Sequence, residues 1–136
     1  MRGRGRLRPV GILGGTFDPV HVGHLRAALE IRDALDLAQV RLVPAHVPPH
    51  RPQPVASAAQ RLAMLRLAVR GNPRFAVSRL EADHDGVTYT VESLERFAKA
   101  EKAELYFVMG QDSLDEFRTW RDPDRILALA RLAVVP

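Results

Sequence analysis

Short apolar runs alternate along this chain with longer amphipathic segments. The apolar runs predict five β-strands, at residues 10–13, 40–43, 75–80, 105–109 and 132–135. Between them, apolar residues recur at helical spacing, which predicts helices at 22–37, 57–70, 90–98 and 122–130 and a helical turn at 113–117. Parallel strands need crossover connections, which helices provide. The alternation therefore predicts an α/β fold, a doubly wound, mostly parallel five-stranded sheet with helices on both faces.

Residues that start or interrupt regular structure sharpen this division. Ser57 and Gln60 have the spacing of a capping box at a helix start, and Thr90 is suited to cap the third helix. Residues 44–54 include five prolines and are predicted to form a loop. The acidic stretch 81–86 is predicted to form an exposed loop.

Glycines that follow two of the strands indicate where a ligand would bind. Gly14 and Gly15 end the first strand, and Gly110 ends the fourth. In open parallel sheets, ligands bind beyond the carboxyl ends of the strands, where the strand order reverses. We therefore expect the first and fourth strands to be neighbours, with a cleft at their carboxyl ends.

Charge changes this picture only at the N-terminus. The formal net charge of +4 equals the contribution of arginines at positions 2, 4, 6 and 8, so the rest of the chain is electrically balanced. We predict a disordered Arg-rich tail over residues 1–8, although contact of this tail with RNA or acidic lipid is an open alternative. One domain is expected over residues 9–136, with no nucleic-acid partner.

Composition also limits the compartment. The chain has no cysteine, which excludes disulfides and thiolate metal sites. No apolar run is long enough to cross a bilayer, and no signal-peptide core follows the arginines. A cytoplasmic protein without a membrane partner is therefore expected, and the sequence leaves its oligomeric state open.

The strongest chemical signal is the segment 14–24, Gly-Gly-Thr-Phe-Asp-Pro-Val-His-Val-Gly-His, between a strand and a helix. Glycines let main-chain amides approach phosphate oxygens, and a helix start offers unpaired N–H groups. His21 and His24 are three residues apart, so both can donate to the same polyphosphate from one helix face.

Other readings of the two histidines are a metal site and plain packing. A catalytic metal usually needs three protein ligands, and no cysteine or obvious carboxylate accompanies the pair locally. No protein metal ligand is therefore predicted. The segment also lacks the Gly-x-Gly-x-x-Gly pattern of dinucleotide-binding folds and the Gly-Lys-Ser/Thr of a P-loop.

The segment resembles the signature of the nucleotidyltransferase superfamily with its His-x-Gly-His motif. Further stretches occur in the order found in bacterial nicotinate-nucleotide adenylyltransferases, at residues 48–51, 88–90, 110–114 and 119–120. Phosphopantetheine adenylyltransferases typically carry Thr in place of the first His. Glycerol-phosphate cytidylyltransferases lack the Pro-Pro-His-Arg and Thr-Trp features. The resemblance thus favours the nicotinate branch and a Rossmann-like nucleotidyltransferase domain.

This resemblance implies transfer of the adenylyl group of ATP to nicotinate mononucleotide in NAD synthesis, with Mg²⁺ accompanying ATP. Alternatives are another acceptor, phosphopantetheine or nicotinamide mononucleotide, or a nucleotide-binding module without turnover. His21 and His24 are the expected catalytic residues. The expected ATP-binding residues are these two histidines with Gly14, Gly15, Thr16, Phe17, Gly110 and Asp112.

The resemblance also implies a set of acceptor-binding residues: Asp18, His50, Arg51, Thr90 and Trp120. Each has a simpler alternative: His50 and Arg51 as a solvated surface pair, and Trp120 as a core residue. Asp112 has one too, as the cap of the helical turn that follows it. His46 is a weaker candidate for phosphate contact.

The chain departs from the family pattern after its fifth predicted strand. Family members continue with an Arg-Pro-Gly turn and a Ser-Thr-x-x-Arg segment that helps bind ATP, whereas this sequence stops at Pro136. We therefore expect a C-terminally truncated domain, with weak or absent adenylylation by residues 1–136 alone.

Overall fold

A computed structural model describes residues 7–46, 54–84 and 87–135. Its centre is a five-stranded sheet in which every neighbouring pair is parallel, in the order β3-β2-β1-β4-β5. The strands are β1 Arg8–Gly15, β2 Gln39–Pro44, β3 Phe75–Val77, β4 Ala103–Gly110 and β5 Ala130–Val135. The helices are α1 Val22–Leu35, α2 Ala58–Ala68, α3 Thr90–Ala100, α4 Gln111–Glu116 and α5 Pro123–Leu129, and a 3₁₀ turn Phe117–Thr119 follows α4.

The helices pack on the two faces of the sheet, and side chains alternate between them along each strand. In β1, Val10 and Ile12 belong to the core that includes α3 and α5, whereas Leu13 packs against the core that includes α1 and α2. The alternation follows from the two-residue period of a strand. The predicted doubly wound α/β fold is therefore confirmed.

The strand order places β1 between β2 and β4, so the order reverses at β1. In this register Leu13 lies opposite Val108, and Gly15 lies opposite Pro44. The predicted adjacency of the first and fourth strands is confirmed. Their carboxyl ends bring Gly14, Gly15 and Gly110 to one edge of the sheet.

Several predicted boundaries need correction. Strand β1 begins at Arg8, which pairs with β4, so this residue belongs to the sheet and not to the tail. Helix α1 ends at Leu35 because Asp36 adopts a left-handed conformation with φ of 53°. Thr90 is the first helical residue of α3, and Tyr89 before it occupies the cap position. The capping box of Ser57 and Gln60 is confirmed.

The prediction of an exposed loop after residue 80 is wrong for its first two residues. Ala82 is buried and Glu81 is partly buried. The Glu81 carboxylate accepts a hydrogen bond of 2.7 Å from Ser93 Oγ on α3. This loop is therefore packed against the rest of the domain. Among the described residues, no helix is both long enough and apolar enough to span a bilayer.

Candidate active site

A cleft of about 750 Å³ opens beyond the carboxyl ends of β1 and β4. Most of the residues singled out by sequence line it. They are Gly14, Gly15, Thr16, Phe17, Asp18, His21, His24, Thr90, Gly110 and Trp120. The cleft therefore brings together residues that are far apart along the chain.

The two imidazoles form a stacked pair at the start of α1. Their ring centroids are 3.7 Å apart, with an angle of 23° between the ring planes. His21 occupies the cap position, and its main-chain N–H donates to Nδ1 of His24 at 3.1 Å. Because Nδ1 accepts this bond, neutral His24 carries its proton on Nε2 and can donate from that nitrogen.

The surroundings of His24 favour its neutral form. Burial, and secondarily the neighbouring His21, lower the pKa of His24 below its usual value of 6.5. The proton that would charge the ring must go to Nδ1, which is occupied by the main-chain N–H of His21. Geometry and electrostatics thus both favour a neutral donor.

The buried side chain of Phe17 packs against His24. Its side chain is 2% exposed, and its ring meets the His24 ring edge-on with centroids 5.0 Å apart. Phe17 has a positive φ of 52°, which is uncommon for a non-glycine residue and turns the chain sharply after β1. The segment between β1 and α1 therefore holds His24 in a defined position.

The aromatic part of the cleft is built around Trp120. Its indole packs against Phe107 and Phe117, with ring centroids 5.9 and 5.5 Å apart. Trp120 is only partly buried and also lines the cleft with Tyr89 and Thr90. The core role and the cleft position are thus compatible, since one end of the ring packs and the rest stays accessible.

Some candidates lie elsewhere. Asp112 is exposed in the first turn of α4 and is not among the residues lining the cleft. Nδ1 of His46 makes a 2.8 Å hydrogen bond to the carbonyl of Ala82, so this ring is used within the fold. His50 and Arg51 lie outside the described residues.

The family model described as cytidylyltransferase-like matches residues 12–136. The chain belongs to this family.

Curated relatives refine the comparison. A probable nicotinate-nucleotide adenylyltransferase of Aeromonas hydrophila is 49% identical over 127 residues, which cover 93% of this chain and 59% of the relative. One from Thermomicrobium roseum is 47% identical, with coverages of 92% and 59%. The resemblance recognised in the motifs is confirmed, and the chain spans about 59% of the length of these relatives.

Solved structures agree on the fold. A putative nicotinate-nucleotide adenylyltransferase from Vibrio parahaemolyticus superposes with a TM-score of 0.79 at 20% identity, covering 96% of this chain and 78% of that one. Plasmodium falciparum nicotinic acid mononucleotide adenylyltransferase complexed with NaAD gives 0.76 at 14% identity, with coverages of 94% and 74%. At these identities the likeness establishes the Rossmann-like fold.

Within this cytidylyltransferase-like domain, sequence reasoning missed Arg61. Its side chain is 1% exposed, and its guanidinium donates to four main-chain carbonyls. These belong to Thr16, Ala45, His46 and Ala56. One side chain therefore ties the segment after β1 to the residues that precede and follow 47–53. The available signal was an arginine beside Leu62 and four residues before Leu65, both buried on α2.

Asp18 reinforces the same junction. Its two carboxylate oxygens accept from the main-chain N–H groups of Val55 and Ala56, at 2.7 and 3.1 Å. Asp18 was expected to contact the acceptor, and it does line the cleft. The hydrogen bonds that it makes in this structure are to the chain itself.

Two further polar residues of the cleft, Glu81 and Thr88, were not predicted as site residues, although Thr88 lies in the stretch 88–90 that carries the resemblance. Burial raises the pKa of Glu81, although its hydrogen bond from Ser93 and the nearby Arg96 oppose the effect. Thr88 is 5% exposed, and its hydroxyl has no hydrogen-bond partner among the described residues. Neither residue follows a glycine that ends a strand, so no local pattern in the sequence marks it as part of the cleft.

Proposed function

We propose that this protein transfers the adenylyl group of ATP to nicotinate mononucleotide, giving deamido-NAD and pyrophosphate. The observation that carries the proposal is that one cleft contains both the stacked pair His21 and His24 and the partly exposed Trp120. The two imidazoles can donate hydrogen bonds to a polyphosphate, and the indole can stack on a planar ring. The names of the curated relatives support the same assignment.

The reaction needs positioning more than acid–base chemistry. A phosphate monoester has a second pKa of about 6, so the attacking phosphate is already ionised at neutral pH. Its oxygen forms a bond to the α-phosphorus of ATP, the bond to the bridging oxygen breaks, and pyrophosphate leaves. No general base and no covalent intermediate are required.

The residues of the cleft have separate roles in this proposal. His21 and His24 donate to phosphate oxygens while negative charge moves onto pyrophosphate. Gly14, Gly15 and Thr16 form the wall against which the phosphates lie, and Gly110 leaves open space at the end of β4 because a Cβ there would meet no atom within 4 Å. Phe17 acts on ATP through its packing against His24. Asp112 stays a candidate for ribose contact.

On the acceptor side, Trp120 stacks on the pyridine ring and Thr90 hydrogen-bonds its carboxylate. Asp18 lines this side of the cleft, and its carboxylate binds the main-chain N–H groups of Val55 and Ala56. His50 and Arg51 remain proposed phosphate contacts. We assign the nucleotidyltransferase domain to residues 9–136 together with Arg8, the first residue of β1. We place the reaction in the cytosol, because both substrates are free nucleotides.

Mg²⁺ enters this proposal with ATP, as part of the substrate. Over residues 7–46, 54–84 and 87–135, no three His, Asp or Glu side chains are grouped so that they could hold a metal ion. Asp18, the carboxylate nearest in sequence to the histidines, is engaged by two main-chain N–H groups. We propose that Mg²⁺ is held chiefly by the phosphate oxygens of ATP, as this ion commonly is.

The decisive assay offers the complete gene product ATP with one of three acceptors: nicotinate mononucleotide, nicotinamide mononucleotide or phosphopantetheine. We expect pyrophosphate release and dinucleotide formation to be fastest with nicotinate mononucleotide. Preference for phosphopantetheine would overturn the acceptor assignment. Binding of ATP without any turnover would instead indicate a nucleotide-binding module. For residues 1–136 alone, weak turnover stays a prediction.

Gly23 tests whether the position of the His21 ring matters. A Cβ at residue 23 would lie 2.9 Å from Cε1 and Nδ1 of His21, so Gly23→Ala must displace that ring. We expect kcat to fall at least tenfold, toward the roughly 100-fold loss that a misplacement of about 1 Å can cause. Thermal stability should not fall, since alanine is favoured over glycine inside a helix by about 1 kcal/mol.

Val22→Ala is the matched control for this variant. Val22 is the adjacent helical residue, its side chain is 78% exposed, and it does not line the cleft. Its kcat should stay within twofold of wild type. Full activity of Gly23→Ala would show that the stacked position of His21 is not required.

A further inference from the structure

One cation of the cleft is not explained by any role assigned so far. Arg121 directly follows Trp120, and both residues line the cleft. The guanidinium carbon of Arg121 lies 3.7 Å from the centroid of the Tyr89 ring, in a cation–π contact. Tyr89 immediately precedes Thr90, so this contact joins the two segments that form the aromatic part of the cleft.

The stacked guanidinium keeps its hydrogen-bonding capacity. Stacking uses the flat face of the group, whereas its N–H donors point outward in the plane and match the two oxygens of a carboxylate. In the parts of the chain that the structure describes, no carboxylate forms an ion pair with Arg121. Asp18 and Glu81, which line the same cleft, accept hydrogen bonds from other groups. Glu116, the third acid of the cleft, is exposed on α4.

The chemistry of the acceptor decides which anion reaches Arg121. The acceptor's phosphate must lie at the α-phosphorus of ATP, near the histidines. Its ring is the part that stacks on Trp120, so a ring substituent meets the residues adjacent to Trp120. Arg121 is the one arginine or lysine among the described residues that line this cleft.

We propose that the side chain of Arg121 is a specificity residue that binds the carboxylate on the acceptor ring. This inference rests on the proposed function and deepens it, because it assigns the preference for an acid over an amide to a charged side chain. A carboxylate gains two charge-assisted hydrogen bonds from the exposed guanidinium, which is stacked on Tyr89. A carboxamide carries no charge and presents one oxygen with an NH₂ group, which two N–H donors cannot both match.

The test compares Arg121→Gln with wild type on nicotinate mononucleotide and nicotinamide mononucleotide. We expect the KM for the acid to rise at least tenfold and the KM for the amide to change less than twofold, with kcat for both nearly unchanged. Calorimetric titration with nicotinate mononucleotide in the absence of turnover should show the same tenfold weakening. Arg121→Lys should be intermediate, because it keeps the charge and loses the paired donors.

Arg118→Gln is the matched control. Arg118 pairs with Asp124 at 3.2 Å, both side chains are largely exposed, and neither lines the cleft. Its KM values should match wild type. Equal weakening of acid and amide by Arg121→Gln would mean that Arg121 binds the shared phosphate and would overturn the inference, as would no weakening at all. If wild type binds neither mononucleotide, the proposed function fails and the inference falls with it.

Discussion

Replacing His24 with alanine is expected to lower kcat for pyrophosphate release by about 100- to 1000-fold, the usual effect of removing one preorganised donor to developing negative charge. The geometry assigns the donor to Nε2, since Nδ1 accepts from the main-chain N–H of His21. Alanine also removes that acceptor, which should lower the free energy of unfolding by about 1 kcal/mol, as for loss of a helix cap. Discontinuous assays of pyrophosphate release measure the loss of kcat. Urea unfolding measures the change in the free energy of unfolding.

Two further substitutions separate catalysis from capping. Glutamine and glutamate at this helix position can both accept from the N–H of the cap residue. His24→Gln keeps an N–H donor, whereas His24→Glu places a negative charge beside the phosphates. Both should unfold like wild type, and the Glu variant should be the less active of the two. An activity of His24→Ala within threefold of wild type would contradict the assignment.

The pH dependence of stability gives an independent check on His24. Its pKa is lowered in the folded protein, so between the folded value and 6.5 the unfolded chain binds more protons than the folded one. Stability associated with neutral His24 is therefore complete above about pH 6.5 and is lost as the pH falls through the lowered pKa. The stability of His24→Gln should decline less than that of wild type over the same acid range.

The strand–helix alternation was sufficient to predict the sheet, because both periodicities are local properties of the chain. The reversal of strand order at β1 followed from glycines after Leu13 and Met109, which mark strand ends near a ligand. The exact ends of the helices and strands depended on backbone conformation and strand pairing, which the sequence pattern does not reveal. Asp36 ends α1 by adopting a left-handed conformation, and β5 begins at Ala130, where the register with Leu105 extends the pairing.

The candidate site was predictable where its residues are close in sequence, as in the segment that contains His21 and His24. Residues whose contacts are distant in sequence were not predictable. The partners of Arg61 are carbonyls as far as 45 residues away, and Arg121 meets Tyr89 32 residues earlier in the chain. Such contacts depend on how helices and loops pack, and no local pattern in the sequence specifies them.

Arg61→Met should cost the largest stability loss of any substitution considered, about 3–5 kcal/mol. Methionine keeps an unbranched apolar stem but removes every donor to the carbonyls of Thr16, Ala45, His46 and Ala56. A buried acceptor left without a partner costs about 1–3 kcal/mol. The bond to the Ala45 carbonyl is buried and the other three are partly buried, so water would recover part of the sum. Although burial lowers the pKa of Arg61, Asp18 opposes the shift, and the Asp18 carboxylate would lose its nearby positive charge.

Urea unfolding of Arg61→Met and Arg66→Met separates this role from helix propensity. Arg66 lies on the same helix with its side chain exposed, so its replacement should change the unfolding free energy by less than about 0.5 kcal/mol. Arg61→Lys should recover only part of the loss, because one ammonium cannot reach carbonyls spread over three segments. If Arg61→Met loses less than about 1 kcal/mol of unfolding free energy, Arg61 is not what joins the segment after β1 to the residues that flank 47–53. Asp18 and apolar packing would then hold these segments together.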